Sequence, residues 1–218
     1  MSDMLRSILL LTILFTVRTA NAQADCSQTS TGMIPINDLG TGTYLGMMGG
    51  LYPNGSNFRP EDHLQAGLQF AQQVQPLDAN GEPDPVNGKV VLITIGMSNT
   101  TQESQAFIPL AMAHPGIDPQ LVIVNGAQGG QTTAILSTPS DPGYAAYWEL
   151  VGDRLEAAGV THQQVQAIWF KDSNHASQPI DIFADTLLVQ SKRVMHELYN
   201  RFPNARLCYI ASRIYGGY

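Results

Sequence analysis

Residues 89–103 constrain this chain most. From Val90 to Ile95, six apolar or β-branched residues follow one another without polar alternation. Such a run is buried on both faces, as in a central strand of a parallel sheet. It stops at Gly96, and Thr100-x-x-Glu103 reads as a capping box that opens a helix. Ser98 therefore falls on a tight strand-to-helix turn at the carboxyl end of a central strand, where open α/β sheets bind ligands. A serine there presents its hydroxyl beside the free amides of a helix start, which suits attack on an ester. Serine also serves turns without doing chemistry, so the rest of the chain has to separate the two roles.

The pattern continues regularly. A helix is expected over residues 102–113, ending at His114-Pro115-Gly116, then a strand over 121–124. A second helix spans residues 145–158 and is closed by Gly159, and Thr161-x-x-Gln164 opens a further turn. A strand over 167–170, a long helix over 182–201 and a strand over 207–211 complete the series. The long helix carries Phe183, Leu187, Val194 and Leu198 on one face. Strands alternating with helices make a parallel sheet with right-handed crossovers, a three-layer α/β domain. Residues 23–88 differ. They are rich in Gly, Pro, Asn and Gln and contain one short helix, which residues 59–64 lead into and which runs to about residue 74, and read as an irregular extension without a core of its own. The domain proper is residues 89–218. It stops just after a strand with no closing helix, so it reads as truncated at the C-terminus.

Residues 1–22 fit a secretory signal peptide: Arg6, a short apolar core from Ile8 to Val17, and Ala20-Asn21-Ala22 before the cleavage point. No stretch is long and apolar enough to span a bilayer, so the expected product is exported, periplasmic or extracellular, and free of the membrane after cleavage. The formal net charge is −7 and no basic run occurs, which argues against nucleic acid as a partner. The two cysteines, Cys26 and Cys208, could pair in an oxidising compartment but do not make a disulfide framework. No metal-binding spacing is present, and no cofactor is implied.

Three polar clusters follow three successive strands: Gly96-Met97-Ser98-Asn99, Gly126-Ala127-Gln128-Gly129-Gly130 and Asp172-Ser173-Asn174. Strand ends of a parallel sheet converge on one rim, and acyl transfer needs a nucleophile and hydrogen-bond donors aimed at the developing oxyanion. Each cluster also has a purely structural reading. The glycines permit sharp turns, and Asn174 could cap the turn that follows it. Tyr144, Tyr147, Trp148 and Trp169 fit core packing better than a sugar platform.

In this order the clusters resemble the SGNH (GDSL-like) hydrolases. Gly96-Met97-Ser98-Asn99 is similar to the Gly-Gln-Ser-Asn block of the sialate O-acetylesterase and acetylxylan esterase branches. The resemblance covers roughly residues 90–215 and implies a flavodoxin-like three-layer α/β/α sheet. It makes Ser98 the nucleophile, and makes the Ser98 amide, Gly129 (or its neighbour Gly130) and the Asn174 side chain the oxyanion donors. Met97 stands where the family carries Asp or Gln, and Asp172 stands where its third block carries Gly. The late Asp-x-x-His that supplies the family's base is not found after the fourth strand. The same letters do occur as Asp172-Ser173-Asn174-His175 at the third strand end. The base thus lies beyond residue 218 or is absent, with His175 as the local substitute.

The expected function is an exported serine esterase acting on a small acyl ester, acetyl being the branch's implication, carried on a carbohydrate. The alternative is a non-catalytic carbohydrate-binding or scaffold domain on the same fold. Oligomeric state is left open.

Overall fold

A computed structural model describes residue 32 and residues 34–174 and 179–211. The proposed signal peptide, Cys26, His175 and residues 212–218 lie outside the described residues. The described elements fall in one compact unit, Pro35–Ile214.

The extension begins with a two-stranded antiparallel ribbon, β1 (Thr43–Tyr44) and β2 (Met47–Met48), followed by helix α1 (Glu61–Ala71). Its last part is stitched to the main sheet. The Gln75 carbonyl and amide bond the Gln166 side chain at 2.6 and 3.0 Å, and Gln164 Nε2 donates to the Leu77 carbonyl at 2.8 Å. Leu77 is itself buried.

The main sheet has four parallel strands: β3 (Val90–Gly96), β4 (Leu121–Asn125), β5 (Val165–Lys171) and β6 (Leu207–Ile210). Across the sheet they run in the order β4-β3-β5-β6. The unbroken apolar run made β3 central, with a partner on each side. Helix α2 (Ser98–Met112) joins β3 to β4. The short helix α3 (Thr133–Leu136) and helix α4 (Pro142–Ala157) join β4 to β5, and α5 (Ile180–Arg201) joins β5 to β6. The first crossover runs one way along the sheet and the later ones run the other way. With right-handed connections, that reversal sends α2 to one face and the later helices to the opposite face.

Side-chain alternation shows both faces. Val91, Ile93 and Ile95 point one way, level with Val124, Ile168 and Phe170 of the neighbouring strands. They bury against Tyr147, Trp148, Val151 and Leu155 of α4 and Val194 and Leu198 of α5, with Phe202 closing the layer. Each such side chain contributes about 1.5–3 kcal/mol on burial, so this layer holds most of the stability. On the other face Thr94 meets α2 through Ser104, whose Oγ lies 2.8 Å from Thr94 Oγ1. The result is an α/β/α arrangement with one dry layer and one partly polar layer.

Two local expectations hold in detail. The α4 terminus has Gly159 in the left-handed region (φ 70°), and the Val160 amide reaches back to the Leu155 carbonyl at 3.0 Å. The Thr161/Gln164 capping box is formed in both directions. One expectation fails. Thr100 and Glu103 do not open α2, because the helix has already begun at Ser98, after an extended Met97. Their side chains are recruited by β5 instead: Thr100 Oγ1 donates to the Lys171 carbonyl, and Glu103 pairs with the Lys171 ammonium.

Candidate functional site

The connection from β3 leaves in one direction and the connections after β4 return in the other. The switch point therefore lies between β3 and β5, at their carboxyl ends. Gly96 ends β3 there with φ 151°. A Cβ at this position would stand 1.9 Å from the Lys171 carbonyl oxygen and 2.7 Å from Thr100 Oγ1. Glycine lets the two strand ends close to this distance. The chain then passes through buried Met97 and enters α2 at Ser98, whose side chain is exposed. The first α2 bond runs from the Thr101 amide to the Met97 carbonyl at 3.0 Å. The amides of Ser98, Asn99 and Thr100 therefore lie outside the helix's own ladder. Among the described residues no side chain hydrogen-bonds to the Ser98 hydroxyl.

The loop after β4 is pulled onto this turn. The Gln128 amide donates to the Gly96 carbonyl at 2.9 Å. Asn125 Nδ2 donates to the Thr101 carbonyl of α2 at 3.1 Å, while its Oδ1 accepts from the Ala127 amide at 3.2 Å. Arg154 of α4 donates to the carbonyls of Asn125 (3.0 Å) and Ala127 (2.6 Å) and to Gln128 Oε1 (2.7 Å). These bonds set Gly129 over the serine: a Cβ built on Gly129 would lie 3.8 Å from Ser98 Cβ. Gly130 has a different task. Its φ is 79°, and a Cβ there would meet nothing among the described residues, so it is the turn residue and Gly129 is the one that faces Ser98.

Asn174 follows β5 on the same rim, but its side chain is turned toward other partners. Its Oδ1 accepts from the Ala134 amide at 3.2 Å and from the Thr133 hydroxyl at 2.9 Å, capping α3 rather than a turn of its own. Its Nδ2 donates to Gln190 Oε1 on α5. The Thr133 amide, in turn, donates to the Ser173 carbonyl at 3.1 Å. The carboxamide is thus held in one orientation by two helices, α3 and α5, with one of its two N–H groups committed to Gln190. No hydrogen bond joins it to Ser98.

Asp172 is buried, and its Oδ1 accepts from the Ser173 amide at 2.7 Å. Below the rim, burial pushes the Tyr147 hydroxyl far above the ordinary phenol range. The Asp172 carboxylate adds to that shift, while the Gly96 backbone and Arg154 oppose it. Ser98 and Gly129 are therefore brought together, and Asp172 and Asn174 are fixed nearby in the sheet's rim. The described histidines serve elsewhere. His63 packs near the Tyr52 ring, His162 stacks on Phe202 before β5 begins, and His196 is exposed on α5. His114 follows the far end of α2, about 20 Å or more from Ser98 at 1.5 Å per helical residue. Among the described residues no group of His, Cys, Asp and Glu side chains could hold a metal ion.

Arg154, Lys171, Thr133 and Gln190 were not singled out by sequence reasoning. Lys171 left a trace, as a cation ending an apolar strand. Arg154 left none, because a charged residue in a surface helix is ordinary. In comparisons with known proteins, no family model, no curated protein and no solved structure matches this chain.

Proposed function

We propose that this chain is an exported serine esterase of the SGNH type, with a flavodoxin-like sheet, cleaving a small acyl ester from a carbohydrate or similar alcohol. One observation carries the reading: an exposed serine starts a helix at the sheet's switch point, with Gly129 facing its side chain. Ser98 Oγ attacks the ester carbonyl and its proton passes to a general base. The Ser98 and Gly129 amides and the remaining Asn174 N–H receive the oxyanion. The alcohol leaves with a proton, and water releases the acyl group from Ser98. Acetyl is the acyl group the first-block resemblance favours. The described residues do not supply the base. His175 lies outside them, and its part is tested by substitution.

A second reading, a carbohydrate-binding domain without catalysis, draws on the absence of a histidine bonded to Ser98 among the described residues. A fluorophosphonate probe separates the two. The wild type should label and Ser98→Ala should not, and His175→Ala should slow labelling by about 10²–10⁴-fold if that residue is the base. A wild type that stays unlabelled removes the esterase and leaves the binding domain. Export is tested separately: protein recovered outside the cytoplasm should begin at Gln23.

A further inference from the structure

We propose that Lys171 and Glu103 form a positioning clamp for Ser98, an inference that rests on the serine-esterase reading. Lys171 is the last residue of β5 and pairs in register with Gly96, two residues before Ser98. It is held by α2 at two points. Its carbonyl accepts from Thr100 Oγ1 at 2.5 Å, and its ammonium meets Glu103 Oε1 at 2.5 Å. Thr100 and Glu103 are three residues apart, so they lie on one side of the helix, in its first and second turns. The carbonyl also presses against Gly96, where no Cβ would fit. One residue of β5 therefore grips the strand end that precedes the serine and the helix turns that follow it.

Stability alone is a poor account of this pair. The Lys171 side chain is 5 % exposed and that of Glu103 34 %. Glu103 Oε2 is buried without a hydrogen-bond partner among the described residues. Desolvating two charges costs about as much as their attraction returns, and apolar replacements of similar size often hold a fold equally well. In some proteins a buried ion pair fixes one geometry where apolar contacts allow several. Helix termini are where local opening is easiest, and Ser98 is the first residue of its helix. Holding both of the first two turns to β5 keeps the serine hydroxyl in register with the Gly129 backbone. Lys171 and Glu103 act through Ser98 and touch no reacting atom, so they are positioning residues.

The test compares wild type, Lys171→Arg and the double variant Lys171→Met with Glu103→Leu, which removes both charges together. Three quantities are measured: thermal stability, the second-order rate of fluorophosphonate labelling, and hydrogen exchange of the amides of residues 98–104. The double variant should melt close to wild type yet label about 10–100-fold more slowly. The amides of residues 101–104, the first to enter the helix's ladder, should exchange about tenfold faster or more. Lys171→Arg, which keeps the ion pair, should recover part of the labelling rate. A double variant that labels within about twofold of wild type overturns the proposal, and so does unchanged exchange over residues 98–104. If wild type itself does not label, the esterase reading fails on that result, and the exchange data alone decide whether the clamp exists.

Discussion

Two glycines at the rim make opposite demands, and substitution should separate them. At Gly96 the backbone is in the left-handed half of φ space and the Lys171 carbonyl occupies the place of a side chain. Gly96→Ala should therefore cost more than about 3 kcal/mol, seen as a large fall in melting temperature. At Gly129 a Cβ meets only Ser98 among the described residues, at ordinary contact distance. Gly129→Leu should leave the melting temperature nearly unchanged while its side chain covers Ser98 and blocks labelling by a bulky probe. The sequence showed both as turn glycines. It could not rank them, because each depends on a neighbour more than thirty residues away in the chain. His162 offers a residue-scale test of pH dependence. Burial, with help from Arg201, holds its imidazole below the usual 6.5. A depressed histidine makes the folded state prefer the neutral ring, so the associated stability is complete above the unfolded value and is lost as pH falls through the folded one. The wild type should lose melting temperature more steeply than His162→Phe between about pH 8 and about pH 5. Phenylalanine can keep the stack on Phe202 without the charge.

The elements were legible where local chemistry determines them. β3 followed from its unbroken apolar run, and the end of α4 from Gly159. The start of α2 was misplaced because Thr100 and Glu103 have the spacing of a capping box but find partners on β5, a preference only the assembled sheet can express. The short α3 had no periodic signal, and its cap comes from Asn174, forty residues further on. Of the candidate site, the serine and the glycine loop were readable from strand ends. The residues that fix them were not, since Arg154 and Gln190 look like ordinary polar positions on helices. Arg154 gives the test at this scale. Its guanidinium joins α4 to two carbonyls and a side chain at the end of β4, just before Gly129. Arg154→Met keeps the apolar stem and leaves those acceptors without their donor, at a cost of about 2 kcal/mol. Labelling should fall by about 10–100-fold, more than the stability loss explains, because the Gly129 loop is no longer held over Ser98.

At the scale of the whole sheet, the large apolar core and the helix that carries Ser98 lie on opposite faces. The apolar layer under α4 and α5 holds the large buried side chains, whereas the α2 side carries Thr94, Thr100 and Ser104 beneath the rim. Ser104 Oγ lies 2.8 Å from Thr94 Oγ1 and 2.6 Å from the Thr100 carbonyl, so it connects β3 to the first turn of α2. This division predicts two variants that fail in different ways. Leu155→Ala opens a cavity in the apolar layer, on the sheet face opposite α2. It should cost about 3 kcal/mol, and roughly 6–12 °C in melting temperature for a chain of this size. Molecules still folded below that temperature should label at the wild-type rate. Ser104→Ala removes one hydroxyl and little volume. Its stability cost should stay near about 1 kcal/mol, yet it loosens the turn that carries the serine and should slow labelling by about fivefold or more. Melting curves and labelling rates measured on both variants at one temperature decide the matter. If the two quantities fall together in both proteins, the sheet transmits disturbance evenly and the separation of layers is wrong. If they part as described, the apolar core can lose volume without reaching Ser98, and the turn that carries the serine is set from the α2 side.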